Sequence, residues 1–386
     1  MTGEQRRQHR IGGDRPSGRT RSGLRAARAL TTALVLTLAL SACQSTSGAS
    51  GPSHVTDGGA RLSETTPVAE PKTIVGGSTA LLVDSTVPAP ETVPEPTLPV
   101  TVTDMQGTQV TVTDASRILA LDVYGTTTRI VYELGLGANL VGRDASSSFP
   151  EVADLPLVTE SGHDLNAEAI LELAPTLIIT DTSLGPWDVV LQMRDAGISV
   201  VVVDSHRSLD NVTDLIGEVA AAVGLPEQGA ALAEQVSGEI DAKIAEIAEI
   251  VPADDADRLR IAFLYVRGQA GVYYMFGTDS GADTLVTALG GIDVATEIGW
   301  SGMRPVNDEG LISAQPDVVL VMSEGLSSAG GVDGLIESIP ALAQTPAGER
   351  RRIIDMDDSE ILSFGPGTAD VLDALAVALY APQTLS

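Results

Sequence analysis

The sequence predicts an α/β protein with parallel-type sheets flanked by helices, and three observations carry that prediction. Short apolar runs at Thr176–Thr180, Ser199–Val203, Ile261–Val266 and Val318–Met322 have the length and composition of buried strands. Between them lie stretches with helical spacing, among them Asn166–Leu173 and Val189–Ala196, so strand and helix alternate as crossover connections require. One helical stretch, Leu225 to Ile250, is longer than the rest and carries Leu232, Val236, Ile240, Ile244 and Ile247 along one face. Near the middle of the folded part, it reads either as a rigid strut between two lobes or as the core helix of a single domain.

Taken in order, the chain begins with arginines from Arg6 to Arg28, followed by an apolar run from Ala29 to Leu40. The run is too short to cross about 30 Å of hydrocarbon comfortably, and it ends in small residues, so 1–42 reads as a signal peptide. Its last residues, Leu40-Ser41-Ala42, precede Cys43 and resemble the bacterial lipobox, which implies a lipid anchor on that cysteine. Cys43 is the only cysteine among 386 residues, which excludes a disulfide framework, a redox pair and a multi-thiolate metal site. Net charge is −29. Residues 1–42 hold eight of the 23 Lys+Arg and two of the 52 Asp+Glu, so the remainder carries −35. Such a surface argues against a nucleic-acid partner, whose affinity comes from Lys and Arg on phosphates, and suits a body standing off an anionic membrane.

Residues 43–97 are rich in Ser, Thr, Gly and Pro, with Pro88, Pro90, Pro94 and Pro96 closely spaced, and read as a flexible linker. Folding starts near residue 98 with the alternation Val100-Thr101-Val102 and Val110-Thr111-Val112 around Gly107, a hairpin pattern. The division is then 98–224 for a first α/β lobe, 225–252 for the long helix and 253–386 for a second α/β lobe. A repeat links the halves. Asn166-Ala167-Glu168 is followed seven residues after its glutamate by Pro175 and an apolar run, and Asn307-Asp308-Glu309 is followed in the same way by Pro316. Asparagine caps a helix, an acid in the first turn meets its dipole, and proline ends it, so each copy is a helix-to-strand unit.

These features together resemble the ABC-transporter solute-binding proteins for iron complexes, cobalamin and haem. The resemblance implies two α/β lobes joined by one long rigid helix, a ligand cleft between them, and an extracytoplasmic, lipid-anchored position. It also implies a permease with its ATPase as partners, met through one glutamate on each lobe; by position these are Glu168 and Glu309, whose other reading is helix-start stabilisation. Ser161-Gly162-His163-Asp164-Leu165-Asn166-Ala167-Glu168 and Leu264-Tyr265-Val266-Arg267-Gly268, extended by Gly271-Val272-Tyr273-Tyr274, are similar to the haem-binding, HmuT-like branch.

Haem is then the transported ligand, taken from an upstream donor where one exists. Ferric haem iron accepts a phenolate or an imidazole as axial ligand, and His163 and Tyr265 are the candidates, binding metal only through haem iron. Arg267, two residues from Tyr265 in a strand, shares its face and favours the phenolate. Tyr273 and Tyr274 stack on the macrocycle or pack. Arg304 and Arg143 in predicted loops are candidates for the propionates, with Trp300 and Met303 at a pocket rim or in surface packing. Met322 reads as core. Within transport, a ferric siderophore or cobalamin is the alternative, and the His–Tyr pair argues against it. A zinc or manganese site would need more histidines than His163 and His206. No Gly-x-Ser-x-Gly, HExxH or phosphate loop occurs, so no catalysis is read, and a lipid-anchored enzyme or adhesin leaves the paired Asn-x-Glu units unexplained.

Overall fold

Runs of β-branched residues that are apolar on both faces are driven to the middle of layered structures, and the first half of the chain is built that way. The computed structural model describes residues 57–90, 92–305 and 307–385; the stretch read as a signal peptide, Cys43 and the first part of the stretch read as a linker lie outside the described residues. Ile118–Leu121, Leu177–Thr180 and Ser199–Val202 pair in parallel in that order, almost wholly buried, with helix Trp187–Asp195 as the crossover between the last two. The predicted hairpin forms between Val100–Thr103 and Gln109–Val112, turning at Gly107 with φ +75°. Beyond its end, the Met105 N–H donates to the Val202 carbonyl at 2.8 Å and so covers the open edge of this sheet.

The second half carries a seven-stranded sheet, and it is mixed rather than parallel. Ile353–Met356, Val318–Met322 and Arg260–Arg267 run parallel, as expected. Val272–Phe276 then adds antiparallel, because the short turn Gly268–Gly271 returns the chain at once and leaves no length for a crossover helix, and Met303–Pro305 adds antiparallel beside it after a longer connection. Both Asn-x-Glu units form as predicted. The Asn166 carboxamide accepts from the Ala169 N–H at 3.0 Å and that of Asn307 from the Gly310 N–H at 2.7 Å, and strands Leu177–Thr180 and Val318–Met322 follow their prolines.

The long helix spans Pro226–Ala248 and buries Leu232, Val236, Ile240 and Ile247. It lies against helix Val212–Ala222 of the first half and against the C-terminal helix Thr368–Tyr380, where Lys243 pairs with Asp373 at 2.5 Å. The halves also touch directly. The Leu209 N–H donates to the Thr284 hydroxyl at 3.2 Å, the Ser148 and Ser359 hydroxyls meet at 3.0 Å, and the Thr126 hydroxyl donates to the Ser363 carbonyl. At Gly281, with φ +83°, a side chain would collide with the Arg207 carbonyl across this contact.

The stretch read as a flexible linker is corrected over its described part. Ser78–Thr79 adds parallel to Ile353–Met356 as the outermost strand of the second sheet, and Leu62, Ala80, Leu82 and Val87 are buried. The Leu62 N–H donates to Asp373 and the Gly76 N–H to the Arg350 carbonyl, all on the second half. Further along, the Val87 N–H donates to Glu151 and the Thr97 N–H to the Gly224 carbonyl, both on the first half. The described residues of 57–97 therefore form a strap over both lobes, and 57–82 belong with the second. Single apolar residues spaced among Ser, Thr and Pro have no period, which is why composition hid them.

Candidate functional site

In parallel α/β sheets, ligand-facing groups collect beyond the carboxyl ends of the strands. Here the first residue after two of the three first-lobe strands is an aspartate, Asp122 and Asp181, and both turn inward onto Arg207. The Arg207 guanidinium donates to Asp181 at 2.8 Å, lies 3.3 Å from Asp122, and sits 5.1 Å from the Tyr124 ring centre. Asp122 also accepts from the N–H groups of Tyr124, Thr126 and Thr127, and Asp144 accepts from those of Asp122 and Ser147. This buried cluster locks three loops that meet the second lobe. Sequence reasoning missed it, although an aspartate directly after each of two strands was the visible signal.

Asp122 and Asp181 share one buried guanidinium and Asp144 has none, so burial, then the charge of Asp122, pushes Asp144 up to about 7 and Asp181 up to about 6. A carboxyl whose folded-state value is raised binds its proton more tightly in the folded chain, so it stabilises at low pH and that stabilisation is lost as pH rises through the window from about 4 to about 7. The melting temperature is expected to be higher at pH 5 than at pH 8. Net negative charge pushes the same way; the decisive comparison is therefore Asp144→Asn, which should flatten the profile by an amount on the order of a few kcal/mol. An unchanged slope in that variant would assign the dependence to overall charge.

The second-lobe side is built on the antiparallel pair. Directly opposite residues project to the same face, and neighbours alternate. Tyr265 is opposite Tyr274, and Phe276 is opposite Met303 with Pro305 opposite Tyr274, so Tyr265, Arg267, Tyr274, Phe276 and Met303 share one face. Tyr265 is half-buried, edge-on to Phe276 at 6.5 Å, with the Arg267 guanidinium 4.6 Å from its ring centre. Met303 is 48% exposed at the outer edge.

Tyr273 is opposite Val266 and Arg304 opposite Met275, so these belong to the other face, where Tyr273 and Trp300 pack on a separate apolar cluster. The Trp300 indole N–H is bound to the Met275 carbonyl at 3.1 Å, which makes it packing rather than rim. Arg304, read as a loop residue, is in a strand and turned away from Tyr265. Arg143 commits its guanidinium to the carbonyls of Ala153 and Asp144, each at 3.1 Å, and so closes its own loop. Met322 packs against the main core, as read.

His163 lies exposed in the turn between Thr159–Glu160 and Asp164–Leu165 on the first lobe. Its carbonyl accepts from the Gly185 N–H at 3.1 Å, which ties this turn to the segment before helix Trp187–Asp195. Glu168 and Glu309 are exposed in the first turns of helices Ala167–Glu172 and Asp308–Ala314, one on each lobe. Among the described residues, no group of three or more His, Cys, Asp or Glu is placed to hold a metal ion, and no helix is long and apolar enough to cross a membrane.

Two α/β lobes joined by a long helix, with an arginine-backed tyrosine on one and a hairpin histidine on the other, define a two-lobe binding protein. Residues 123–360 match the family described as periplasmic binding protein, and the chain belongs to that family. Among solved structures it is similar to the heme binding protein HmuT, with 43% identity and a TM-score of 0.75 over 81% of this chain and 99% of that one. The periplasmic heme-binding protein RhuT from Roseiflexus is 38% identical with a TM-score of 0.63, over 70% of this chain and 99% of that one. Solved HmuT variants replace a tyrosine, an arginine or a histidine by alanine, the tyrosine and arginine being two positions apart. Among curated proteins, an uncharacterized ABC transporter substrate-binding lipoprotein of Bacillus subtilis, YvrC, is 25% identical over 74% of this chain and 87% of its own. A cobalamin-binding protein of Halobacterium salinarum is 24% identical over 78% of this chain and 82% of its own.

Proposed function

We propose that this protein is the extracytoplasmic binding component of an ABC importer, that it captures ferric haem between its lobes, and that it passes the haem to the permease without catalysing a reaction. The observation that carries the reading is the half-buried Tyr265–Arg267 pair, stacked at 4.6 Å where the strand leaves the main core, in a chain similar over 99% of the length of a heme binding protein. A phenolate is a strong donor to ferric iron, and a guanidinium at its face favours the ionised form. Tyr265 is the iron ligand from the second lobe and His163 the partner from the first. Tyr274 and Met303, on the Tyr265 face, line the macrocycle. Cys43 carries the lipid that holds the protein at the outer face of the membrane once residues 1–42 are removed.

The test is a titration of the chain with ferric haem, followed in the Soret region. A saturating shift with tyrosinate-to-iron charge-transfer bands supports the reading and its endpoint counts the haems bound. A spectrum identical to free haem sinks it. Relatives that bind cobalamin favour that ligand as the second reading, and the same titration with cobalamin separates the two. Glu168 and Glu309, exposed on separate lobes, are the permease contacts: the double variant Glu168→Ala, Glu309→Ala is expected to keep wild-type haem affinity and lose delivery to permease-containing vesicles. Loss of haem binding in that variant would count against docking.

A further inference from the structure

Among the described residues the chain passes between the lobes twice, once through the long helix and once in the strap. On the second-lobe side of the strap crossing, the Ala80 N–H donates to the Asp355 carbonyl at 2.7 Å and the Leu82 carbonyl accepts from the Gly59 N–H at 2.9 Å. On the first-lobe side, Val87 is buried and its N–H donates to Glu151 at 3.1 Å. Only residues 83–86 span the gap, and they are gathered rather than straight: the Asp84 carboxylate accepts the Thr86 N–H at 2.9 Å, and Ser85 between them is buried. The crossing lands close to where the lobes touch. Glu151 follows Ser148 by three residues, and Ser148 meets Ser359 of the second lobe at 3.0 Å.

We propose that residues 83–86 act as a check strap, a second covalent link that caps how far the lobes part at the Ser148–Ser359 contact. One link through the long helix leaves the lobes able to swing and twist about it; a second link at other residues of both lobes restricts both motions. From Leu82 to Val87 there are five Cα steps, which reach at most about 18 Å when fully extended. Opening therefore first breaks the Asp84 turn and exposes Ser85, and then stops when the span is straight, so long as Ala80 and Val87 keep their anchors. The consequence for the ligand rests on the haem reading above: haem leaves through a small movement, and a longer span lets it leave faster.

The experiment measures the distance between spin labels on Asp188→Cys and Glu337→Cys by double electron–electron resonance, without ligand. These positions are exposed on helices Trp187–Asp195 and Gly331–Ser338 of separate lobes, and the full chain carries Cys43→Ser so that no other thiol is labelled. An eight-residue Gly-Ser insertion between Val83 and Asp84 lengthens the span while keeping the turn and both anchors. The same insertion between Ala89 and Pro90, between first-lobe anchors at Val87 and Thr97, is the control. The added loop entropy should raise the open-to-closed ratio roughly 4-fold in the first variant, with distances reaching beyond the wild-type maximum, and leave the control unchanged. Ferric haem, captured by excess apomyoglobin, should dissociate faster by a similar factor from the first variant alone. Asp84→Ala, which loosens the turn without touching a buried side chain, should shift the distribution the same way by less. Wild-type distances in the first insertion, or equal lengthening in both, overturn the proposal. If that insertion does not fold, an unmoved distribution in Asp84→Ala overturns it. If the wild type gives only the spectrum of free haem, the haem reading falls alone, and the label distances still decide the strap.

Discussion

Replacing Tyr265 by phenylalanine is expected to lower ferric haem affinity by at least the 10–100-fold that removal of a mere supporting group costs at a metal site, and to abolish the tyrosinate bands. The substitution isolates one atom. The ring keeps its edge contact with Phe276 and its place under Arg267, so the melting temperature should not move. Tyr265→Ala should bind as weakly and also lose stability, since it empties part of a packed face. His163→Ala is expected to cost less than Tyr265→Phe, because His163 sits exposed in a turn whose geometry is held by backbone bonds to Gly185 rather than by its own ring. A Tyr265→Phe variant that binds haem like the wild type would remove Tyr265 as the ligand.

Starting the chain at residue 98 is expected to be far more damaging than starting it at residue 57. The longer deletion strips Ser78–Thr79 from the second sheet, uncovers Ile353–Met356 as a new edge, and removes Leu62, Ala80, Leu82 and Val87 from buried sites. At about 1.5–3 kcal/mol for a fully buried large aliphatic side chain, three of these alone approach the 5–15 kcal/mol that holds an ordinary domain folded. It also leaves Asp373 with Lys243 but without the Leu62 N–H, and Asp317 without Lys72. Thermal unfolding followed by circular dichroism, with size-exclusion chromatography for edge-to-edge association, reads the result. Equal melting temperatures for the two deletions would show that the strap only rests on the surface.

Elements whose physics is local were legible in the sequence. Strand Val318–Met322 falls where its apolar run predicted, Asn166 and Asn307 cap the helices their spacing announced, and Gly107 takes the positive φ its turn needs. The position of Arg267 on the face of Tyr265 follows from a two-residue spacing in a strand. What escaped depends on partners far along the chain. Nothing near Ser78 signals Ile354, 276 residues away, as its strand partner. The sidedness of Arg304 and Tyr273 needed the register of strand against strand, which a two-residue period alone does not supply. Asp122, Asp181 and Arg207 come together only once three strands end side by side.

If Cys43 carries the proposed lipid, the strap changes how far the protein can reach from it. If all of residues 43–97 were slack, a lipid on Cys43 would let the lobes wander on a contour of about 190 Å. With the chain packed on the body from Asp57 onward, only the 14 steps from Cys43 to Asp57 remain, a contour of at most about 50 Å. The volume open to the lobes falls with the cube of that length, by roughly 50-fold, and the effective concentration at a permease in the same patch of membrane rises in proportion. On the proposed anchoring and docking, such a tether would trade capture from distant donors for frequent encounters with the importer, and, joining the body at the second lobe, it would limit the orientations in which Glu168 and Glu309 can face the membrane together.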